Sequence, residues 1–151
     1  MHTMEFHLKL PIDIETCWDF FSDPSNLKVI TPDYLGFQIL DRNPLPKMYE
    51  GQIITYNVKP LFNVPILWVT EITHLKKHEY FIDEQRFGPY KFWHHEHHFY
   101  PVAGGVEMVD KIHYMLPLGI LGKVVNAIKV KKDIEGIFAY RNKVLAQKFS
   151  C

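Results

Sequence analysis

The densest chemistry in this 151-residue chain lies in Gly88-Pro89-Tyr90-Lys91-Phe92-Trp93-His94-His95-Glu96-His97-His98-Phe99. Read as a strand, it places Trp93, His95, His97 and Phe99 on one face and Phe92, His94, Glu96, His98 and Tyr100 on the other, because successive strand side chains point to opposite sides. Large aromatics bracket the first set, which marks it as the inward face. The second set reads as a solvated ladder of His and Glu. Neighbouring runs divide in the same way: Phe81, Asp83, Gln85 and Phe87 share one face of 79–87, and Met108, Asp110, Ile112, Tyr114 and Leu116 share the more apolar face of 107–116. Polar groups mixed into apolar faces are costly to bury unless they pair with one another, with water or with a ligand. The pattern therefore predicts a cavity with a polar patch, lined by Phe81, Asp83, Gln85, Trp93, His95, His97, Phe99, Asp110, Ile112 and Tyr114.

Three chemistries fit His95 and His97 beside Asp83 and Asp110. Histidines at i and i+2 project side by side, and a carboxylate could complete a metal site. An Asp that fixes the tautomer of an imidazole makes a hydrogen-bonded network instead. An Asp–His pair facing a pocket can also move a proton, which with a shaped cavity suffices for a cofactor-free cyclase, dehydratase or isomerase. Adjacent His residues with carboxylates nearby are more often a network than a ligand set, so neither a metal nor a cofactor is expected. Whether the chain is an enzyme stays open, with His95, His97, Asp83 and Asp110 as the catalytic candidates. Covalent catalysis is not expected, since there is no Gly-x-Ser-x-Gly, Ser22, Ser25 and Ser150 have no evident base, and Cys17 falls in a presumed helix. Gly104-Gly105 reads as a hairpin turn, and Gly119-Ile120-Leu121-Gly122-Lys123 lacks Walker spacing, so no nucleotide site is expected.

The elements that must hold these residues follow from periodicity. Met4 to Leu10 alternates apolar and polar residues and ends at Pro11, which predicts a strand. Asp13 can cap a short helix through Cys17, Trp18, Phe20 and Phe21, and Asp23-Pro24 starts a second helical piece. Six further period-two runs follow, at 37–41, 52–59, 66–75, 79–87, 91–101 and 106–116. Their separators, among them Asn43-Pro44, Gly88-Pro89 and Gly104-Gly105, are too short for parallel crossovers, so the sheet is expected to be antiparallel. After Pro117 the period becomes 3.6, with Ile120, Leu121, Val124, Val125, Ile128, Ile134, Ile137, Phe138, Val144 and Leu145 recurring at three and four residues. That predicts one long helix, about 40 Å at 1.5 Å per residue, able to lie across a curved sheet. The order predicts an α+β helix-grip fold: a seven-stranded antiparallel sheet wrapped around a long C-terminal helix, with two short helices after the first strand.

Composition narrows the function classes. Lys+Arg and Asp+Glu both number 17, and 47% of residues are hydrophobic. The balanced charge gives no electrostatic footprint for nucleic acid, and the apolar and aromatic content excludes disorder. With no linker or repeat, residues 1–151 read as one domain. The two cysteines, Cys17 and Cys151, form no disulfide or zinc pattern, and Met1 to Glu5 shows no signal peptide, so a cytoplasmic location is expected. The run 115–128 is too interrupted to cross a bilayer. Lys123, Lys129, Lys131, Lys132, Arg141, Lys143 and Lys148 make the last helix basic, which reads first as a solvated face and second as transient membrane contact. The apolar loop 60–65 reads as an entrance flap or a packed hairpin turn.

The strings Phe81-x-Asp83-x-Gln85, Gly88-Pro89-Tyr90, Trp93-x-His95-x-His97-x-Phe99 and Asp110-x-Ile112-x-Tyr114-x-Leu116-Pro117-x-Gly119 resemble the START-related, birch-pollen-allergen-like superfamily (SRPBCC). More narrowly they resemble its small bacterial polyketide-cyclase-like members, some loosely called cell division inhibitors. The resemblance implies a sheet gripping a C-terminal helix around a hydrophobic cavity, and no particular ligand. His94 and His98 depart from the usual pattern and inherit no role. The function expected is binding of a hydrophobic small molecule, lipid-, polyketide- or isoprenoid-like. The alternatives are the cofactor-free enzyme above and a module that binds an unidentified protein partner.

Overall fold

The alternating runs become seven strands: β1 (His2–Leu10), β2 (Gln38–Ile39), β3 (Ile53–Val58), β4 (Ile66–Lys76), β5 (Tyr80–Phe87), β6 (Phe92–Val102) and β7 (Gly105–Met115). The structure, a computed structural model, describes residues 1–42, 44–60, 63–117, 119, 124 and 126–150, except the side chains of 126 and 127. All strands join one antiparallel sheet in the order β1-β7-β6-β5-β4-β3-β2. β2 is shorter than its pattern, because the Asp41 carboxylate accepts from Thr55 N–H at 2.6 Å and takes the place of a ladder bond. Two register shifts in the β4–β5 pairing, at Val69/Thr70 and Ile72/His74, bend the sheet as bulges do.

Between β1 and β2 the chain crosses one end of the sheet. Asp13 caps α1 (Ile14–Phe21), accepting from Thr16 N–H at 2.9 Å, and the helix buries Cys17, Trp18, Phe20 and Phe21. Two 3-10 turns follow at Pro24–Lys28 and Asp33–Leu35. At the other end of the chain a π-helical stretch, Asn126–Val130, leads into α2 (Lys131–Phe149). Ile134, Phe138, Arg141 and Leu145 are its buried positions, spaced at four, three and four residues to make one inward stripe. The expected beginning of the helix at Ile120, Leu121 and Val125 lies outside the described residues, as do Asn43, Leu61 and Phe62, the glycine-rich Gly122-Lys123 pair and Cys151.

The buried apolar residues form three clusters rather than one. Under α1, Trp18, Phe21 and Phe99 pack with Leu145 from the end of α2; at the β3 side, Phe37, Ile54, Tyr56, Val58 and Ile72 pack together; at the start of α2, Ile134 and Phe138 cover Ile112 and Tyr114. Phe138 also stacks flat on Phe6 of β1, with ring centroids 4.0 Å apart. α2 is thus pinned at both ends and stands away from the middle of the sheet.

The β6–β7 hairpin needs its glycines for different reasons. Gly104 has φ +83° with open space where a side chain would go, whereas a Cβ on Gly105 would lie 2.0 Å from the Leu10 carbonyl oxygen. Gly104→Ala is expected to cost about 1 kcal/mol through its left-handed backbone. Gly105→Ala should cost clearly more, since backbone must move. Urea midpoints for the two variants check this, and equal losses would remove close approach as the constraint.

Candidate functional site

Register brings the polar residues of three strands together. Asp83 of β5 lies opposite His95 of β6, which lies opposite Ile112 of β7; in the next inward row Phe81, His97 and Asp110 stand opposite one another. The two carboxylates therefore flank the two imidazoles diagonally. Asp110 Oδ1 is 2.9 Å from His95 Nε2 and 2.9 Å from His97 Nδ1. Asp83 Oδ2 is 2.6 Å from His97 Nε2 and 3.6 Å from His95 Nδ1. The imidazoles face each other at 3.7 Å between centroids, and Phe81 stacks on His97 at 4.1 Å.

A cation from the helix completes the group. Arg141 of α2 places a terminal nitrogen 3.8 Å from Asp110 Oδ1, with its guanidinium 4.5 Å from the Phe138 ring centroid, a cation–π geometry. His95, His97, Asp110 and Arg141 are 5%, 7%, 5% and 8% exposed, too little for water to stand in for a missing partner.

Burial pulls each ionisation one way and the partners decide the outcome. Burial favours neutral carboxyls, yet hydrogen bonds to the imidazoles hold Asp83 and Asp110 below the usual carboxylate range, Asp110 far below. Burial alone lowers the pKa of His97, but bonds to Asp110 and Asp83 outweigh it and raise it. His95 goes down, through burial first and the charge of His97 second, against the pull of Asp110. Burial also lowers Arg141, which remains a cation, as guanidinium does in proteins. Two carboxylates thus face one guanidinium and two imidazoles whose pKa values are driven apart, His97 towards its charged form and His95 away from it.

Asp83, His95, His97 and Arg141 stand at the edge of a cavity of about 530 Å³ between the sheet, the 3-10 turns and α2. Its wall is largely apolar, with Ile54, Trp68 and Ile72 from the sheet, Phe37 from just before β2, Leu35 from a turn and Ile137 from the helix. Tyr56, also in the wall, stacks near Trp68 and hydrogen-bonds Thr70 at 3.1 Å.

The whole chain aligns with solved structures of the same shape. A START superfamily protein from Mycobacterium smegmatis matches at a TM-score of 0.72 over 99% of this chain and 97% of its own, with 14% identity. The chain shares its fold with that protein. Protein TTHA0849 from Thermus thermophilus matches at 0.71, with 14% identity over 99% of this chain and 100% of its own. Ara h 8.0201 matches at 0.62, with 12% identity over 97% and 98%. At such identities the likeness is one of fold. No family model and no curated protein matches the sequence.

Within this START-like fold, the ten residues expected to line the cavity divide into two groups. Phe81, Asp83, Trp93, His95 and His97 are in its wall. Gln85, Phe99, Asp110, Ile112 and Tyr114 are not. Gln85 instead ties down the β5–β6 turn, donating to Tyr90 O at 2.7 Å and accepting from Tyr90 N–H at 3.1 Å. Phe99 is covered by α1, and Ile112 and Tyr114 by α2, because the helices close on the two ends of the inward face. Asp110 sits behind the histidines. On the outer face, His94 bonds Glu84 at 2.7 Å and His98 bonds Glu96 at 2.9 Å, the solvated ladder the alternation implied.

The correction of most consequence concerns Arg141. Expected on a solvated basic face, it points into the cavity wall. Its position completes the 134–138–141–145 stripe, and an arginine in an otherwise apolar stripe was the available signal.

Loss of Arg141 leaves buried carboxylate charge unmatched. Arg141→Leu should therefore cost roughly 3 to 5 kcal/mol, and Arg141→Leu with Asp110→Asn should cost less than the two single changes added together. Urea denaturation of the cycle decides. Strict additivity would show that the helix cation and the β7 carboxylate do not depend on each other.

Proposed function

We propose that the chain binds a hydrophobic small molecule, lipid-, polyketide- or isoprenoid-like, in the cavity between α2 and the sheet. The observation that carries this reading is the cavity itself. Its volume of about 530 Å³ falls in the range of roughly 300–1,000 Å³ usual for small-molecule sites, and an apolar wall with one convergent polar group is their usual make-up. The apolar wall would supply affinity and the Asp83–His95–His97 edge would orient the molecule. The reading takes residues 1–151 as one domain acting in the cytoplasm. No helix among the described residues is long and apolar enough to cross a membrane, so the molecule would be collected from water or from a membrane surface touched in passing.

A second reading uses the same pocket for proton transfer, as in a cofactor-free cyclase, dehydratase or isomerase. Its support is geometric. His95, in the cavity wall, bonds Asp110 through Nε2 at 2.9 Å, so its other nitrogen, Nδ1, 3.6 Å from Asp83, would be the acceptor for a substrate proton.

Two tryptophans in the wall, Trp68 and Trp93, provide a direct readout of binding. An apolar fluorescent fatty-acid analogue is expected to quench tryptophan emission with a stoichiometry of one per chain. Ile137→Trp, which fills the cavity from a half-buried helix position, should weaken that probe at least about tenfold, or 1.4 kcal/mol, with little change in melting temperature. Unchanged affinity in a folded Ile137→Trp variant would place the probe elsewhere and defeat the reading.

A further inference from the structure

Asp110 holds one nitrogen of each central imidazole, His95 Nε2 and His97 Nδ1, both at 2.9 Å. A neutral imidazole that donates from one nitrogen presents a lone pair on the other. The remaining nitrogens, His95 Nδ1 and His97 Nε2, both face Asp83 Oδ2, at 3.6 and 2.6 Å. Once the proton that His97 Nε2 shares with Asp83 is lost, three electron-pair donors converge from one side while a single carboxylate orients both rings from behind. One donor atom from each of Asp83, His95 and His97 can be chosen so that all lie within 4.8 Å of one another. Donors around a tetrahedral ion with bonds of about 2.0–2.1 Å stand roughly 3.3 Å apart, so side-chain adjustments on the order of 1 Å would seat one.

We propose that Asp83, His95 and His97 bind a divalent first-row transition ion such as Zn²⁺ or Fe²⁺ at the cavity wall, with Asp110 orienting both histidines. Two imidazoles and one carboxylate suit such ions, whereas Mg²⁺ and Ca²⁺ take oxygen ligands. All three ligands line the cavity and Asp110 does not. A fourth coordination position therefore opens towards the enclosed space, the arrangement of a working ion rather than a structural one. Asp110 stands in the usual place of the carboxylate that fixes ligand tautomers, and Arg141, 3.8 Å from it, steadies that carboxylate in turn. With both imidazoles neutral, Asp83 and Asp110 against Arg141 leave one negative charge, so a dication leaves one positive charge facing the cavity. An oxygen donor on the bound molecule, such as a carboxylate, phenolate or enolate, would complete the site. That last step rests on the ligand-binding reading above; the ion site does not.

The experiment uses the full-length protein, stripped with a chelator and titrated with Co²⁺, with Zn²⁺ retention after gel filtration measured in parallel. One ion per chain and visible Co²⁺ bands of low-coordinate geometry are expected. Asp83→Asn and His97→Gln should abolish both signals, and Asp110→Asn should weaken Co²⁺ binding by roughly 10- to 100-fold. His94→Gln and His98→Gln, on the outer face, should leave binding unchanged. Circular dichroism shows which variants fold, and the nearly isosteric Asp83→Asn decides if His97→Gln does not. Substoichiometric binding by the wild type, or loss that follows His94 and His98, overturns the proposal. The fatty-acid probe is measured on the same samples. Ion bound without probe sinks the ligand reading and keeps the metal site, while probe bound without ion sinks the metal site alone.

Discussion

The buried carboxylate of Asp110 constrains most of what surrounds it. Desolvating a lone carboxylate costs several kcal/mol, so a β7 position facing the core can hold one only where donors reach it from several directions. Here they arrive from two elements: His95 and His97 from the neighbouring strand, and Arg141 from the helix across the sheet. Register supplies the first two, because an inward residue of β7 lies opposite an inward residue of β6. The third requires α2 to be set at one rotation and one height, since a turn of slippage would bury the guanidinium among hydrocarbon. The electrostatic requirement of one side chain thereby fixes the seating of the helix, which packing of Phe138 on Phe6 and Leu145 under α1 then reinforces.

A helix held in this way cannot collapse onto the sheet. The long Phe138 and Arg141 side chains reach from α2 to Phe6 and Asp110 of the sheet, and the space beside them is lined by residues already committed to three separate clusters. A dry void of about 530 Å³ would cost on the order of 10 kcal/mol at about 24 cal/mol per Å³, comparable with the whole stability of a domain. A cavity of that size must hold solvent or a ligand in solution. Water against so much apolar wall is poorly satisfied, and its release supplies the drive for a hydrophobic guest.

Almost all of the sheet was legible because alternation with period two reports both the strand and its buried face. The same alternation separated His95 and His97 from His94 and His98, four identical side chains put to opposite uses by a shift of one residue. Curvature was not legible. Phe99, Ile112 and Tyr114 occupy inward positions as the pattern requires, yet α1 and α2 close over them, and nothing in a period-two repeat says where along a strand a helix will land. Gln85 illustrates a different gap, since its amide is consumed by the Tyr90 backbone at a turn. Arg141 was readable only through its spacing with Ile134, Phe138 and Leu145, and its own chemistry argued the other way. Arginine among lysines on a helix looks like solvent-facing charge until a partner carboxylate is known to lie opposite.

The polar edge also limits what the cavity can be for. A carrier of plain hydrocarbon needs no buried ions, and apolar residues of similar volume would often be neutral or stabilising in their place. Asp83, His95, His97 and Arg141 are instead kept at the cavity wall while Asp110 is withdrawn behind it. That layering separates groups that can meet a guest from the carboxylate that orients them, as an arrangement for recognition or chemistry requires. Under the proposed function, whether a proton or a metal ion occupies the space between Asp83 and the two imidazoles, that edge would meet an oxygen function of the guest and the apolar wall would meet its hydrocarbon.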